Sequence, residues 1–245
     1  MVKKTLKKII KNFGYEIRMI PKLKIEEEPE QINSSNNLPT VYDQVPLGGR
    51  ALQKLIEDFE FETVLDIGSG QGKHSEILNH FGKKVTAIDF GTSVYYQNKS
   101  DNFICIIGDY FSYQFDKQFD AIWASHVLEH QPNPNLFLKK IFNDLKENGI
   151  LVITVPPLKH EIVGGHLTLW NSGLLIYNLI FAGFDCKNIS ILKYGYNISV
   201  ILKKNTIKEF PKLDFDKGDI DRLINYFPDG FEEPFDGDIS ELNWV

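Results

Sequence analysis

From residue 61 onward, short apolar runs alternate with amphipathic stretches. FETVLDI (61–67) is a continuous apolar run that stops at glycines, the pattern of a strand buried on both faces. Residues 71–81 place Ile77, Leu78 and Phe81 on one side of a helix. KVTAID (84–89), FICIIG (103–108) and FDAIWAS (119–125) read as the second, third and fourth strands. Over 133–149, Pro134 stands in the first turn, Leu136, Phe137, Ile141 and Leu145 face inward, and Gly149 closes a helix. ILVITVP (150–156) is a fifth strand, and 171–184 is a helix with Asn171 as its N-cap. DCKNISILKYG and YNISVILKK form a strand pair around Tyr194–Tyr196, and a further helix over 47–58 precedes the first strand. Repeated strand–helix–strand units predict an α/β fold, a parallel sheet with helices on both faces. The last hairpin places one antiparallel strand in it.

The flanks depart from this rhythm. Residues 26–40 (EEEPEQINSSNNLPT) are polar, hold two prolines and read as a linker. Residues 1–24 carry eight Lys/Arg against one Glu, and residues 205–245 carry eleven Asp/Glu against four Lys/Arg. In the first segment Val2, Leu6, Ile9, Ile10 and Phe13 share a helical face opposite Lys3, Lys4, Lys7, Lys8 and Lys11. That stripe reads as packing on the protein's own body, with an anionic membrane surface as the other reading. The acidic tail also holds Phe210, Phe215, Tyr226, Phe227, Phe231, Phe235 and Trp244, too many aromatics for a free tail. The expected organisation is a basic helix and linker (1–40), a ligand-binding domain (41–204) and an acidic aromatic extension (205–245) that caps the body.

Composition narrows the class. Hydrophobic residues at 42% and charged residues at 24% of 245 are ordinary for a globular chain and exclude a disordered or collagen-like one. The net charge is −6, and the basic residues lie away from the motifs below, which argues against nucleic-acid binding. Cys105 and Cys186 sit in apolar runs and read as buried reduced thiols, neither a bridge nor a cysteine metal cage. No stretch is long enough to span a bilayer, and the basic N-terminus lacks a signal peptide's apolar core, so the expected location is the cytoplasm. The richness in Lys, Asn and Ile suggests an AT-rich bacterial genome.

The sharpest local signal is Asp66-Ile67-Gly68-Ser69-Gly70-Gln71-Gly72, between a strand and a helix. Glycines there permit positive backbone angles and let a ligand approach the main chain at the sheet's carboxyl edge. The dinucleotide spacing GxGxxG fails, because Lys73 holds its sixth position, while GxGxG holds. Asp89, at the tip of the second strand, can accept both ribose hydroxyls in either cofactor class. Asp109 and Tyr110, after the third strand, can serve an adenine: a carboxylate for its amino group and a ring to cover it.

Four segments in order, VLDIGSGQG, VTAIDF, GDY and FDAIWASHVLEH, resemble the class I S-adenosylmethionine-dependent methyltransferases, in particular the small-molecule, type 11-like branch, over about residues 60–204. The resemblance implies a Rossmann-like, doubly wound, seven-stranded sheet with a reversed last strand. It implies that Asp66, Gly68 and Gly70, with Gly72 beside them, line the methionine end of S-adenosyl-L-methionine. Asp89 and the adjoining Phe90 would take the ribose side, Asp109 and Tyr110 the adenine, and Ser125 and His126 would lie beside the sulfonium.

Methyl transfer from a sulfonium is an in-line displacement on an activated donor, so alignment and exclusion of water can supply most of the catalysis, and no metal is expected. His126 and His166 are the candidate bases, because imidazole titrates near neutral pH. Tyr42, His130, Trp170 and Tyr194 are the candidate acceptor contacts. The reading is methyl transfer to oxygen or nitrogen of a small polar acceptor, such as a sugar, a nucleotide-linked intermediate or a surface-glycan precursor. It would be carried out by a monomer or homodimer without a nucleic-acid partner. The alternatives are an NAD-dependent oxidoreductase and a non-catalytic cofactor-binding scaffold.

Overall fold

The structure is a computed structural model that describes residues 41–45, 47–98 and 105–244. The basic stripe and the whole linker lie outside the described residues. Eight strands form one mixed sheet: β1 (Thr63–Ile67), β2 (Lys84–Asp89), β3 (Cys105–Ile107), β4 (Phe119–Ser125), β5 (Leu145–Val155), β6 (Ser190–Tyr194), β7 (Asn197–Lys203) and β8 (Glu241–Leu242). Their order is β3-β2-β1-β4-β5-β7-β6-β8. β1 to β5 run parallel, and β7 enters antiparallel between β5 and β6. The order reverses between β1 and β4, the position where such sheets open a crevice for ligands.

The helices α1 (Gly49–Asp58), α2 (Lys73–His80), α3 (Pro134–Asp144) and α4 (Ser172–Phe181) cover both faces. Alternation along each strand divides the core in two. Val64, Trp123 and Val152 pack with Leu52 and Leu55 of α1 and Leu78 of α2. Leu65, Ile122 and Leu151 point the other way, into a cluster with Phe137 and Ile141 of α3 and Ile176 and Leu179 of α4. Each such buried aliphatic side chain stabilises the fold by about 1.5–3 kcal/mol. Asn171 caps α4 as expected, its Oδ1 accepting the Leu174 N–H at 2.8 Å. Cys186 is buried, Cys105 half-buried, and neither is bridged.

Two expectations are corrected. The helix expected to run to Gly149 ends at Asp144, and residues 145–149 already belong to β5. The cause is remote in sequence: the buried Lys204 ammonium, at the end of β7, donates to the Phe142 and Leu145 carbonyls at 2.6 and 2.9 Å and satisfies the helix end. Among the described residues the sheet has eight strands rather than seven, because Glu241–Leu242 return to it.

That return is anchored by polar contacts. Asp219, in the short helix α5 (Asp219–Leu223), accepts the main-chain N–H groups of Asp214, Phe215 and Asp216. Ser172 donates to the Ile239 carbonyl at 2.7 Å, and β8 pairs antiparallel with the outer edge of β6. An otherwise open sheet edge is thereby covered. Phe227, Phe231 and Phe235 form a ring cluster that stacks on Tyr177 of α4. Trp244 reaches the other face, under the Lys54 ammonium of α1.

Candidate active site

The carboxyl edge of β1 and β2 holds a cleft built from glycines and carboxylates. Gly68, Gly70 and Gly72 all take left-handed backbone angles, with φ of 71°, 51° and 81°. The Gly68 N–H donates to the Ile88 carbonyl at 2.8 Å, which ties the loop to β2. A Cβ added at Gly68 would stand 2.5 Å from Val127 Cγ2, so the position has no room for a side chain. Gly72 is buried and starts α2 without a side-chain cap.

Asp89 closes the loop from the other side. Its Oδ2 accepts the Gly70 N–H at 2.9 Å and its Oδ1 the Gly91 N–H at 2.8 Å. Each oxygen keeps a lone pair for a further donor. Asp109 is held similarly, Oδ1 accepting from Phe111 N at 3.0 Å and Oδ2 from Ser112 Oγ at 2.9 Å. Gly68, Asp89, Phe90, Asp109 and Tyr110 line one cleft, together with Val127, Gln131 and Phe137. Phe90 is 60% exposed there, an aromatic face with no core partner to cover it.

The remaining positions expected at the cofactor sit differently. Asp66 lies under the loop, buried, its Oδ2 accepting from Ser75 Oγ at 2.5 Å; burial pushes its carboxyl up to about 7, opposed by that hydrogen bond. It fastens β1 to α2 instead of lining the cleft. Tyr110 edges the cleft but does not lid it. Its ring packs on Phe137 at 5.5 Å and its hydroxyl donates to Asp144 at 2.7 Å, and burial pushes that hydroxyl far up from its ordinary value. The Ser125 hydroxyl is buried beneath Gly48.

His126 carries the site's backbone strain, with φ of 55°. Its Nε2 meets Asn197 Oδ1 at 3.1 Å, its Nδ1 lies 3.2 Å from Glu129 Oε1, and its ring stacks on Tyr196. Asn197 Nδ2 donates to the Tyr194 carbonyl, which leaves Oδ1 as the acceptor, so His126 Nε2 carries the proton. In the neutral ring Nδ1 is then a bare lone pair beside Glu129 Oε1, with no hydrogen bond between them. His166 lies beside His130, the rings 5.0 Å apart and nearly perpendicular. Burial lowers its proton affinity, with Glu129 opposing.

Three expected acceptor contacts belong to the packing. Tyr42 is buried and stacks on Phe81 at 5.9 Å. Trp170 is 2% exposed, with its indole N–H on Thr168 Oγ1. The Tyr194 hydroxyl contacts Ser199 Oγ and accepts from Ala51 N, which joins the hairpin to α1. The fourth, His130, is exposed at the edge of the site. Nothing local marks Gln131 or Val127 as cleft residues, and the apolar Phe137 reads simply as core.

The model of the family described as "Methyltransferase domain" matches residues 65–153. Over 103 residues the chain is 37% identical to the ubiquinone biosynthesis O-methyltransferase of Glaesserella parasuis, covering 37% of this chain and 44% of that protein. It is 29% identical over 101 residues to the (S)-coclaurine N-methyltransferase of Papaver somniferum, covering 38% of this chain and 29% of that protein. The chain therefore spans less than half the length of these curated relatives. A SAM-dependent methyltransferase from Archaeoglobus fulgidus shares the fold, with a TM-score of 0.51 and 22% identity over 72% of this chain and 82% of its own.

Proposed function

Because the chain belongs to the class I S-adenosylmethionine-dependent methyltransferase family, we propose that it moves a methyl group from S-adenosylmethionine to oxygen or nitrogen of a small polar acceptor. A sugar, a nucleotide-linked intermediate or a surface-glycan precursor is the acceptor type, and the reaction is assigned to a bacterial cytoplasm. The observation that carries the reading is that Gly68, Asp89 and Asp109, at the ends of β1, β2 and β3, line one cleft.

The residues present fit the cofactor. Asp89, oriented by two main-chain N–H groups, offers its remaining lone pairs to the ribose hydroxyls. Asp109 offers acceptors to an adenine amino group, and the exposed ring of Phe90 offers an apolar face. The bare main chain of Gly68 lets a ligand come close. When bound, S-adenosylmethionine supplies an activated methyl group on a sulfonium. The chain's part is to hold the acceptor in line and to exclude water. His126, fixed by Asn197 and Tyr196, is assigned to shaping that end of the cleft.

A screen of hydroxyl and amine acceptors for S-adenosylhomocysteine production tests the reading. The expected result is turnover with small polar acceptors that is lost in Asp89→Ala. Production that persists in Asp89→Ala, or only with nucleic-acid acceptors, contradicts it.

A further inference from the structure

Beside the cleft, Glu129, His130 and His166 bring one ligand atom each within 4.8 Å of one another. We propose that these three side chains form a binding site for a divalent transition-metal ion of the zinc type. The inference stands apart from the methyl-transfer reading and revises the expectation of a metal-free chain.

The first argument is the carboxylate. Glu129 is fully buried, and neither of its oxygens receives a hydrogen bond from the described residues. Its nearest basic atoms are His126 Nδ1 at 3.2 Å and His130 Nε2 at 3.8 Å. A buried carboxylate without hydrogen bonds is costly, and a cation at the histidine side removes that cost.

The second argument is the tautomer of His130. Its Nδ1 lies 2.7 Å from the Gly165 carbonyl, which can only accept, so Nδ1 carries the proton. In the neutral ring Nε2 is then a bare lone pair turned toward Glu129. A ligating histidine that donates its other N–H to a backbone carbonyl is the usual outer-shell arrangement of metal sites. Gly165, at φ 87°, makes it possible, since a Cβ there would stand 3.2 Å from His130 Nδ1.

The third argument is how the two loops are joined. The Glu129 carbonyl accepts the N–H groups of Leu167 at 2.8 Å and Thr168 at 3.2 Å. Those bonds pin the loop carrying His166 against the turn carrying Glu129 and His130. Two imidazoles and one carboxylate suit zinc and its transition-metal neighbours, whereas magnesium and calcium favour all-oxygen ligand sets. Bonds of about 2.0–2.2 Å require the ligand atoms to draw together on binding. His130, whose side chain is 42% exposed, leaves the ion open to solvent and to a further ligand.

The test uses the tag-free full chain, stripped with a chelator and titrated with Zn2+ by calorimetry and with Co2+ by visible absorption. The expected result is one equivalent of Zn2+ bound at micromolar or tighter affinity, not displaced by excess Mg2+, with a Co2+ band typical of low coordination number. His130→Ala and His166→Ala should each weaken binding at least about tenfold, and Glu129→Gln should do the same, with unchanged unfolding temperatures for the two histidine variants. His160→Ala, an exposed histidine of the same loop, should bind as the unaltered chain does. No saturable uptake, or uptake that survives both His130→Ala and His166→Ala, would overturn the proposal.

Discussion

The Asp89 carboxylate accepts the Gly70 main-chain N–H at 2.9 Å, which locks the tip of β2 onto the glycine loop after β1. One side chain therefore fixes the loop and presents acceptors to the cleft. Its second oxygen does the same for Gly91. The site's shape depends on this contact between residues nineteen positions apart in the chain.

Gly68 should tolerate no side chain. Alanine there meets Val127 Cγ2 at 2.5 Å and must hold φ of 71°. Gly68→Ala should lower stability by about 1–3 kcal/mol and abolish cofactor binding. Val127→Ala removes the clashing methyl and should recover part of the stability. Chemical denaturation of the single and double variants checks both. Additive losses would show that the clash is not the cause.

Asp66 gives stability a pH dependence of defined sign. Burial raises its carboxyl in the folded chain to about 7, from an ordinary value of 3.8. Between about pH 4 and 7 the folded state therefore holds a proton that the unfolded state has released. Stability falls as pH rises through that window and levels off above it. Asp66→Asn should flatten the slope and raise stability at pH 8 by on the order of 1–3 kcal/mol. Denaturant midpoints from pH 4 to 8 provide the check.

Tyr110 should matter for the fold more than for adenine. Its hydroxyl donates to Asp144, which also pairs with Lys140 at 3.0 Å. Tyr110→Phe should cost about 1–2 kcal/mol of stability and leave cofactor affinity within about twofold, since less than 0.4 kcal/mol separates such affinities. A large loss of affinity with unchanged stability would restore the ring to a ligand role.

The aromatic tail should act as a structural cover. Phe235 packs on Phe227 and Phe231 and lies against Gly173 at the start of α4. Phe235→Ala should destabilise the fold by about 2–4 kcal/mol without changing cofactor affinity in the folded protein. Thermal unfolding and calorimetry separate the two effects.

What the sequence made legible was local. Continuous apolar runs marked β1, β4 and β5, and alternate glycines marked a loop whose three glycines are all left-handed. What stayed hidden depended on long-range partners. Lys204 ends α3 from 59 or more residues away. The two-residue strand β8 has too few positions to show alternation. Tyr42, Trp170 and Tyr194 read as pocket aromatics, because nothing local separates an aromatic at a cleft from one that closes the core behind it. The grouping of Glu129, His130 and His166 escaped for the same reason: a helix, a β-strand and a loop separate its two histidines, and no spacing rule joins them.

The central claim is that Asp89 grips the ribose of S-adenosylmethionine at the glycine loop. Calorimetric titration of S-adenosylmethionine into the unaltered chain and into Asp89→Ala, with unfolding temperatures measured alongside, tests it most directly. The account predicts saturable one-to-one binding that weakens at least tenfold, about 1.4 kcal/mol, in a variant that remains folded. Equal affinity in the two proteins would contradict it.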